Sequence, residues 1–129
     1  MEILFLLFIK NVKIKPRILF FKTNKGARFG GYTTQIWPNN NIARDENSFV
    51  FSLNKKEKYK VKSPEYAIIG REKYFQFGVL CFRILDKCSS TSQNYMSFSK
   101  KSYNVPNYGL TDGEQNFTIS SYEVYHIEF

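Results

Sequence analysis

The sequence predicts a mostly β protein: a two-sheet antiparallel β-sandwich with little helix. Three observations lead there. Thirteen phenylalanines and nine tyrosines lie in 129 residues, and aromatic side chains favour strands over helices. Alanine, the best helix former, stands only at positions 27, 43 and 67. The apolar stretches are short, follow no helical period and are separated by long polar connections, which is the spacing of a sandwich. The length is that of one domain, and the apolar share of 43% is that of a globular one.

The elements follow in order. Residues 1–9, MEILFLLFI, are almost wholly apolar. That run is far shorter than the about 20 residues a membrane span needs. Glu2 stands where a leader would carry Lys or Arg, and no small-residue cleavage pattern follows. The segment is therefore expected to pack as a buried strand or short helix. A signal remnant and a piece of a larger domain are the alternatives.

Residues 17–37 read as a β-hairpin, with RILFFK going out, TNKGA turning and RFGGYTTQIW returning. Residues 38–48, PNNNIARDENS, are a loop by composition. FVFSL, residues 49–53, is a strand. Residues 54–65 are a charged excursion. Its KKEKYKVK alternates charge with Tyr59 and Val61, as an exposed edge strand or hairpin guarded by lysines does, with a docking patch as the alternative. Further strands are expected at residues 66–69 and 80–85. Residues 86–115 are polar and too long for a simple loop, so they read as an elaborated surface excursion. Residues 116–129 close the chain as one long or two bent strands.

The adjacent Gly30 and Gly31 are the least ordinary feature. A phosphate loop spaces its glycines around a turn that opens a helix, and here they run on into strand formers. They are expected to mark a β-bulge or a crossing between sheets. Either they take backbone angles closed to other residues, or they let a ring lie on bare backbone. Phe29, Tyr32 and Trp37 would fill the core beside them.

The remaining chemistry is sparse. The net charge of +8 implies a basic surface or an acidic partner. The aromatics alternate with apolar residues rather than with Lys and Arg, which argues against a nucleic-acid groove. With one histidine, His126, and two cysteines, Cys81 and Cys88, the soft ligands number one fewer than a structural zinc site needs. Free thiols are expected, with a disulfide or a redox role as alternatives; Lys87 beside Cys88 would favour its thiolate modestly. His126 is expected to be a packed or surface residue, and a Cys–His pair is the alternative. Asp112 and Glu114 flank Gly113 in a turn with too few oxygen ligands for calcium. The Asn116–Thr118 sequence fits a glycosylation acceptor, but it opens a terminal strand and modification is not expected. No catalytic residue, cofactor-binding residue or metal ligand set is expected.

The ordered blocks of the chain resemble the TLDc domain, the module of the oxidation-resistance proteins. Phe29, Gly30, Gly31, Tyr32 and Thr33 followed by Trp37 match its strongest signature. Asp45 before Phe49 and Phe51 matches the next block, followed by Ala67–Ile68, then by Phe77 and Gly78 ahead of Asp86. Leu110, Gly113, Asn116, Phe117 and Glu123 match the closing block. The family usually carries helices and a strand ahead of the glycine pair, where this chain reads MEILFLLFIKNVKIK. An Asp-Leu pair is usual where it reads VLCF. The resemblance thus implies an apolar segment at residues 1–15 and an N-terminally truncated TLDc-like sandwich at residues 16–129. It also implies that Asp45 caps a turn through its side chain. In function it implies a non-enzymatic, cytoplasmic protein-interaction module linked to oxidative-stress protection, with the vacuolar proton-pumping ATPase as partner. Asn39, Asp45, Asp112 and Glu114 are the expected contact residues. Thiol-dependent antioxidant or redox-sensing chemistry at Cys81 or Cys88 is the alternative. The oligomeric state stays open.

Overall fold

The computed structural model of the chain describes residues 16–127, apart from 36, 39, 80, 98, 99 and 107. The expected packing of residues 1–9 lies outside the described residues. Strands β1 (Arg17–Thr23), β2 (Arg28–Thr33), β3 (Asn41–Ala43), β4 (Phe49–Ser52), β5 (Glu57–Lys60) and β6 (Ile68–Gly70) make up the first half. Strands β7 (Tyr74–Phe77), β8 (Phe82–Leu85), β9 (Asn94–Met96), β10 (Asn116–Phe117) and β11 (Ile119–His126) make up the second. Every pairing among them is antiparallel. One sheet has five strands in the order β11-β1-β2-β4-β5, and the other six in the order β10-β9-β8-β7-β6-β3. The only helical element among the described residues is a single 3-10 turn at Pro64–Tyr66. The two-sheet antiparallel sandwich expected from the aromatic-rich, alanine-poor sequence is the fold observed.

The core lies between the sheets and is built from rings. Phe21 and Phe29 from one sheet meet Phe75 and Phe82 from the other, with ring centroids 5.2–6.1 Å apart. Phe117 closes edge-on to Phe29 at 5.7 Å. Leu19, Val50, Ile68, Ile84, Met96 and Ile119 fill the spaces between them, all buried. Aromatic pairs in such offset and edge-to-face arrangements contribute about 0.5–1.5 kcal/mol each beyond the area they remove from water.

Several local expectations are corrected. The returning hairpin strand ends at Thr33 and does not reach Trp37. The Thr33 and Thr34 hydroxyls are taken by Asp45, so the chain turns there. Trp37 instead drops into the core beyond the strand, edge-on to Phe75 at 4.9 Å and Phe77 at 5.4 Å. β6 begins at Ile68 because Pro64 opens the 3-10 turn that holds Tyr66. β3 lies inside the expected loop. β7, YFQF, was hidden by a polar residue at its centre. Gln76 is buried there because its amide donates to the Gly78 carbonyl and accepts from Arg83 Nε, each at 3.0 Å.

Residues 86–115 are not a surface excursion. They contain β9, and Cys88, Met96, Tyr103, Val105 and Leu110 belong to the core. Buried Asn94 makes this affordable in polar terms. Its amide donates to the Cys88 and Phe117 carbonyls at 2.9 and 3.0 Å and accepts from the Leu85 N–H at 2.9 Å. A side chain that replaces three backbone partners lets a polar-looking segment enter the core without orphaned groups.

Candidate functional site

The glycine pair gives shape, by the second of the two expected routes. Neither Gly30 nor Gly31 has a positive φ. The ladders on both sides of β2 run through them without a register shift, so the expected bulge and the closed backbone angles are corrected. The cause is space. Gly31 faces inward, opposite Leu19 and Val50, and a β-carbon there would lie 2.4 Å from Phe77 Cζ. Gly30 faces outward, opposite Phe20 and Phe51. Its β-carbon would lie 2.6 Å from Phe51 Cζ and 1.8 Å from the Leu19 carbonyl oxygen. Each glycine is the seat of one ring, on opposite faces of the same strand.

Downstream of the pair, Asp45 gathers the chain. It is 2% exposed. One carboxylate oxygen accepts from the Thr33 hydroxyl at 2.6 Å and the Thr34 N–H at 2.8 Å. The other accepts from the Thr34 hydroxyl at 2.8 Å and from the Asn47 N–H at 3.0 Å, which makes an Asx turn. With its oxygens occupied and buried, Asp45 does not present itself to a partner, and its place among the contact residues is corrected. A second tie lies nearby. The buried Tyr103 hydroxyl meets Ser48 Oγ at 2.6 Å and the Ala67 carbonyl at 2.9 Å, so it links three segments. Burial pushes its phenol far above the ordinary tyrosine value.

The other expected contact residues differ in exposure. Asn39 lies outside the described residues. Asp112 is exposed at the tip of a turn with φ of 56°, beside Gly113 at 94°. Glu114 is half-buried, 3.7 Å from Lys25 Nζ. Among the motif residues, Phe117 is buried, Asn116 and Glu123 are exposed, and Gly78 holds a positive φ of 69° against the Ser102 side chain.

Both cysteines are free and face the core, at 2% and 1% exposed. Burial pushes the Cys81 thiol up to about 12. A thiol held that high stays protonated at neutral pH and is a poor nucleophile. Lys87 is exposed while Cys88 points inward, so adjacency in sequence does not bring the ammonium into the thiol's buried surroundings. His126 sits half-buried on β11, and Tyr122 and Val124 of the same strand pack against the core. Among the described residues, no three His, Cys, Asp or Glu side chains converge as a metal site would require. No helix among them is long and apolar enough to cross a membrane. A recess of about 410 Å³ between Lys73, Leu85, Asp86, Lys87 and Thr91 opens on the six-stranded sheet.

The family model of the TLDc domain matches residues 4–128. The chain belongs to the TLDc domain family. Comparison with curated proteins gives no match. The TLDc signature residues fall where the geometry needs them: Gly30 and Gly31 under two rings, and Asp45 in the clasp behind Thr33. A second aromatic cluster lies on the outward face of the five-stranded sheet, where Phe20, Phe51, Phe49, Tyr32 and Tyr125 meet ring to ring, and the expected place of Tyr32 in the core is corrected because its strand register turns it to this face. A signal for it was present. Residues 18–21, ILFF, are apolar in both strand phases, and a strand with one face in water should alternate.

Proposed function

We propose that this TLDc chain is a non-enzymatic protein-interaction module of the cytoplasm, that it serves protection from oxidative stress, and that its partner is the vacuolar proton-pumping ATPase. The observation that carries the reading is the family match across residues 4–128, joined to a core that keeps both thiols out of solvent. The thiol-dependent alternative would need an accessible sulfur with a lowered pKa. Cys81 departs from both requirements, and Cys88 from the first.

Two measurements test the reading. Purified chain mixed with purified vacuolar ATPase should co-elute in size-exclusion chromatography and change its rate of proton pumping. Separate elution with unchanged pumping would remove this partner. In cells challenged with peroxide, the double variant Cys81→Ser, Cys88→Ser should protect as the parent does when both are folded to the same extent. Protection lost by a folded double variant would transfer the function to thiol chemistry.

A further inference from the structure

The outward face of a solvated antiparallel sheet is ordinarily polar. On the five-stranded sheet it is aromatic. Tyr125 meets Phe20 at 5.9 Å, Phe20 meets Phe51 at 5.4 Å, Phe51 meets Phe49 at 6.2 Å, and Phe49 stacks on Tyr32 at 4.8 Å. This string crosses β11, β1, β4 and β2, and none of its rings belongs to the core between the sheets. Tyr125 at one end is 49% exposed, and Leu53, which lines the surface beside the string, is 42% exposed. A shallow depression of about 270 Å³ runs along Ile18, Phe20, Phe49 and Phe51. A second, of about 230 Å³, shares Phe20 and Leu53 with it and continues to Lys22 and Arg28. The two form one groove with a cationic border. Lys58 and Lys60 stand beside Phe51 and Phe49 in the register of β5, and Lys58 Nζ lies 4.9 Å from the Phe49 ring centroid. Lys22 and Arg28 close the other end.

We propose that this groove binds an acidic peptide segment of a partner protein, with aromatic or aliphatic side chains on the ring string and carboxylates on the bordering lysines and arginine. This deepens the interaction-module reading and rests on it only in taking the partner to be a protein. Charge decides the occupant. A second copy of this chain would bring the same cations face to face, on molecules that each carry +8. A flat anionic membrane would meet Glu57 and Glu123, which line the two depressions, as well as the cations. A membrane also calls for rings that project, whereas Phe51 is buried among its neighbours. A peptide can place its carboxylates beside Lys58 and Arg28 and avoid both glutamates.

The test uses the full chain and fluorescence anisotropy with three labelled synthetic peptides. One alternates Glu with Leu and Phe, one replaces each Glu by Lys, and one is oligoglutamate. The first should bind, with affinity that falls as salt rises, and the other two should bind about tenfold more weakly or less. The pair Lys58→Glu, Lys60→Glu and the single change Leu53→Asp should each weaken the first peptide about tenfold. The pair Lys73→Glu, Lys87→Glu, the same charge change on the other sheet, should leave it unchanged. All of these positions are exposed, and circular dichroism checks that the variants keep the fold. Three results overturn the proposal: no binding of the first peptide, equal loss in both lysine pairs, or groove-dependent binding seen only with phosphatidylserine vesicles. Vacuolar ATPase bound equally well by parent and groove variants would also overturn it while leaving the interaction-module reading in place. Peptide binding with no ATPase binding would sustain the groove and remove that partner.

Discussion

The two faces of the five-stranded sheet are both aromatic, yet they are built differently. The inward face meets a second sheet, and its rings are sealed: Phe21 and Phe29 touch Phe75 and Phe82, all within the buried core. The outward face meets no other strand among the described residues. Its rings pack against each other and leave an edge of Tyr125 and Leu53 in water. Aromatic content alone therefore does not say which face is core. What distinguishes them is the neighbour in the third dimension and the charge at the border: hydrophobic strands inside, Lys58 and Lys60 outside.

The contrast predicts a graded set of losses. Phe82 is packed 5.1–6.0 Å from Phe77, Phe29 and Phe21, and Phe82→Ala should cost about 3–5 kcal/mol by urea unfolding. A cost near that of a surface change would mean the sheets are not sealed there. Next come the glycines. Gly30→Ala places a β-carbon against the Leu19 carbonyl, which is backbone and cannot swing aside, so about 3 kcal/mol is expected. Gly31→Ala presses its β-carbon against the Phe77 ring, a side chain rather than backbone, and should cost about 1–2 kcal/mol. The reverse order in thermal melts would place the tighter contact on the inward face.

A third prediction concerns pH. The Cys81 thiol is held at about 12 in the fold against an ordinary 9.0. Between those values the unfolded chain has lost the proton and the native one has kept it. The part of native stability that depends on this thiol is therefore complete below about pH 9 and falls as pH rises toward 12. Cys81→Ala should make that alkaline decline shallower, whatever its effect at neutral pH; an unchanged slope would place the sulfur nearer to water. The smallest effect is expected outside. Phe49→Ala should cost about 1 kcal/mol, since the ring is half-buried and loses chiefly its stack on Tyr32. A cost matching Phe82→Ala would make the outer string a second core.

Much of the sandwich was legible in residue choice. Aromatic and β-branched runs marked β1, β2, β4, β8 and β11, and the lysine-guarded KKEKYKVK marked β5 as the edge it is. Two of the missed strands share a cause. β7 and β9 hold buried Gln76 and Asn94, and a polar side chain that satisfies backbone groups inside the fold reads, in sequence, as a surface residue. Asp45 failed as a contact residue for the same reason, since the four donors that occupy it become visible only when β2 and the following loop meet. The glycine pair was legible as a place where rings need room. Which face each glycine serves depends on strand register, and no local pattern carries that.

The pairing of β1 with β11 sets the order in which this molecule can be made. Arg17 lies opposite His126, so the second strand of the five-stranded sheet takes a partner from more than a hundred positions away. Neighbouring pairs such as β1 with β2 and β4 with β5 close short loops and can form early. The β1–β11 ladder must wait on a long loop closure, and topologies rich in such distant contacts fold on the scale of milliseconds to seconds. On the ribosome the delay is longer, because that ladder cannot begin until residues 119–126 have been synthesised. Until then one edge of β1 stands open beside a nascent chain rich in phenylalanine. A chaperone that shields unpaired strand edges is the helper this topology calls for.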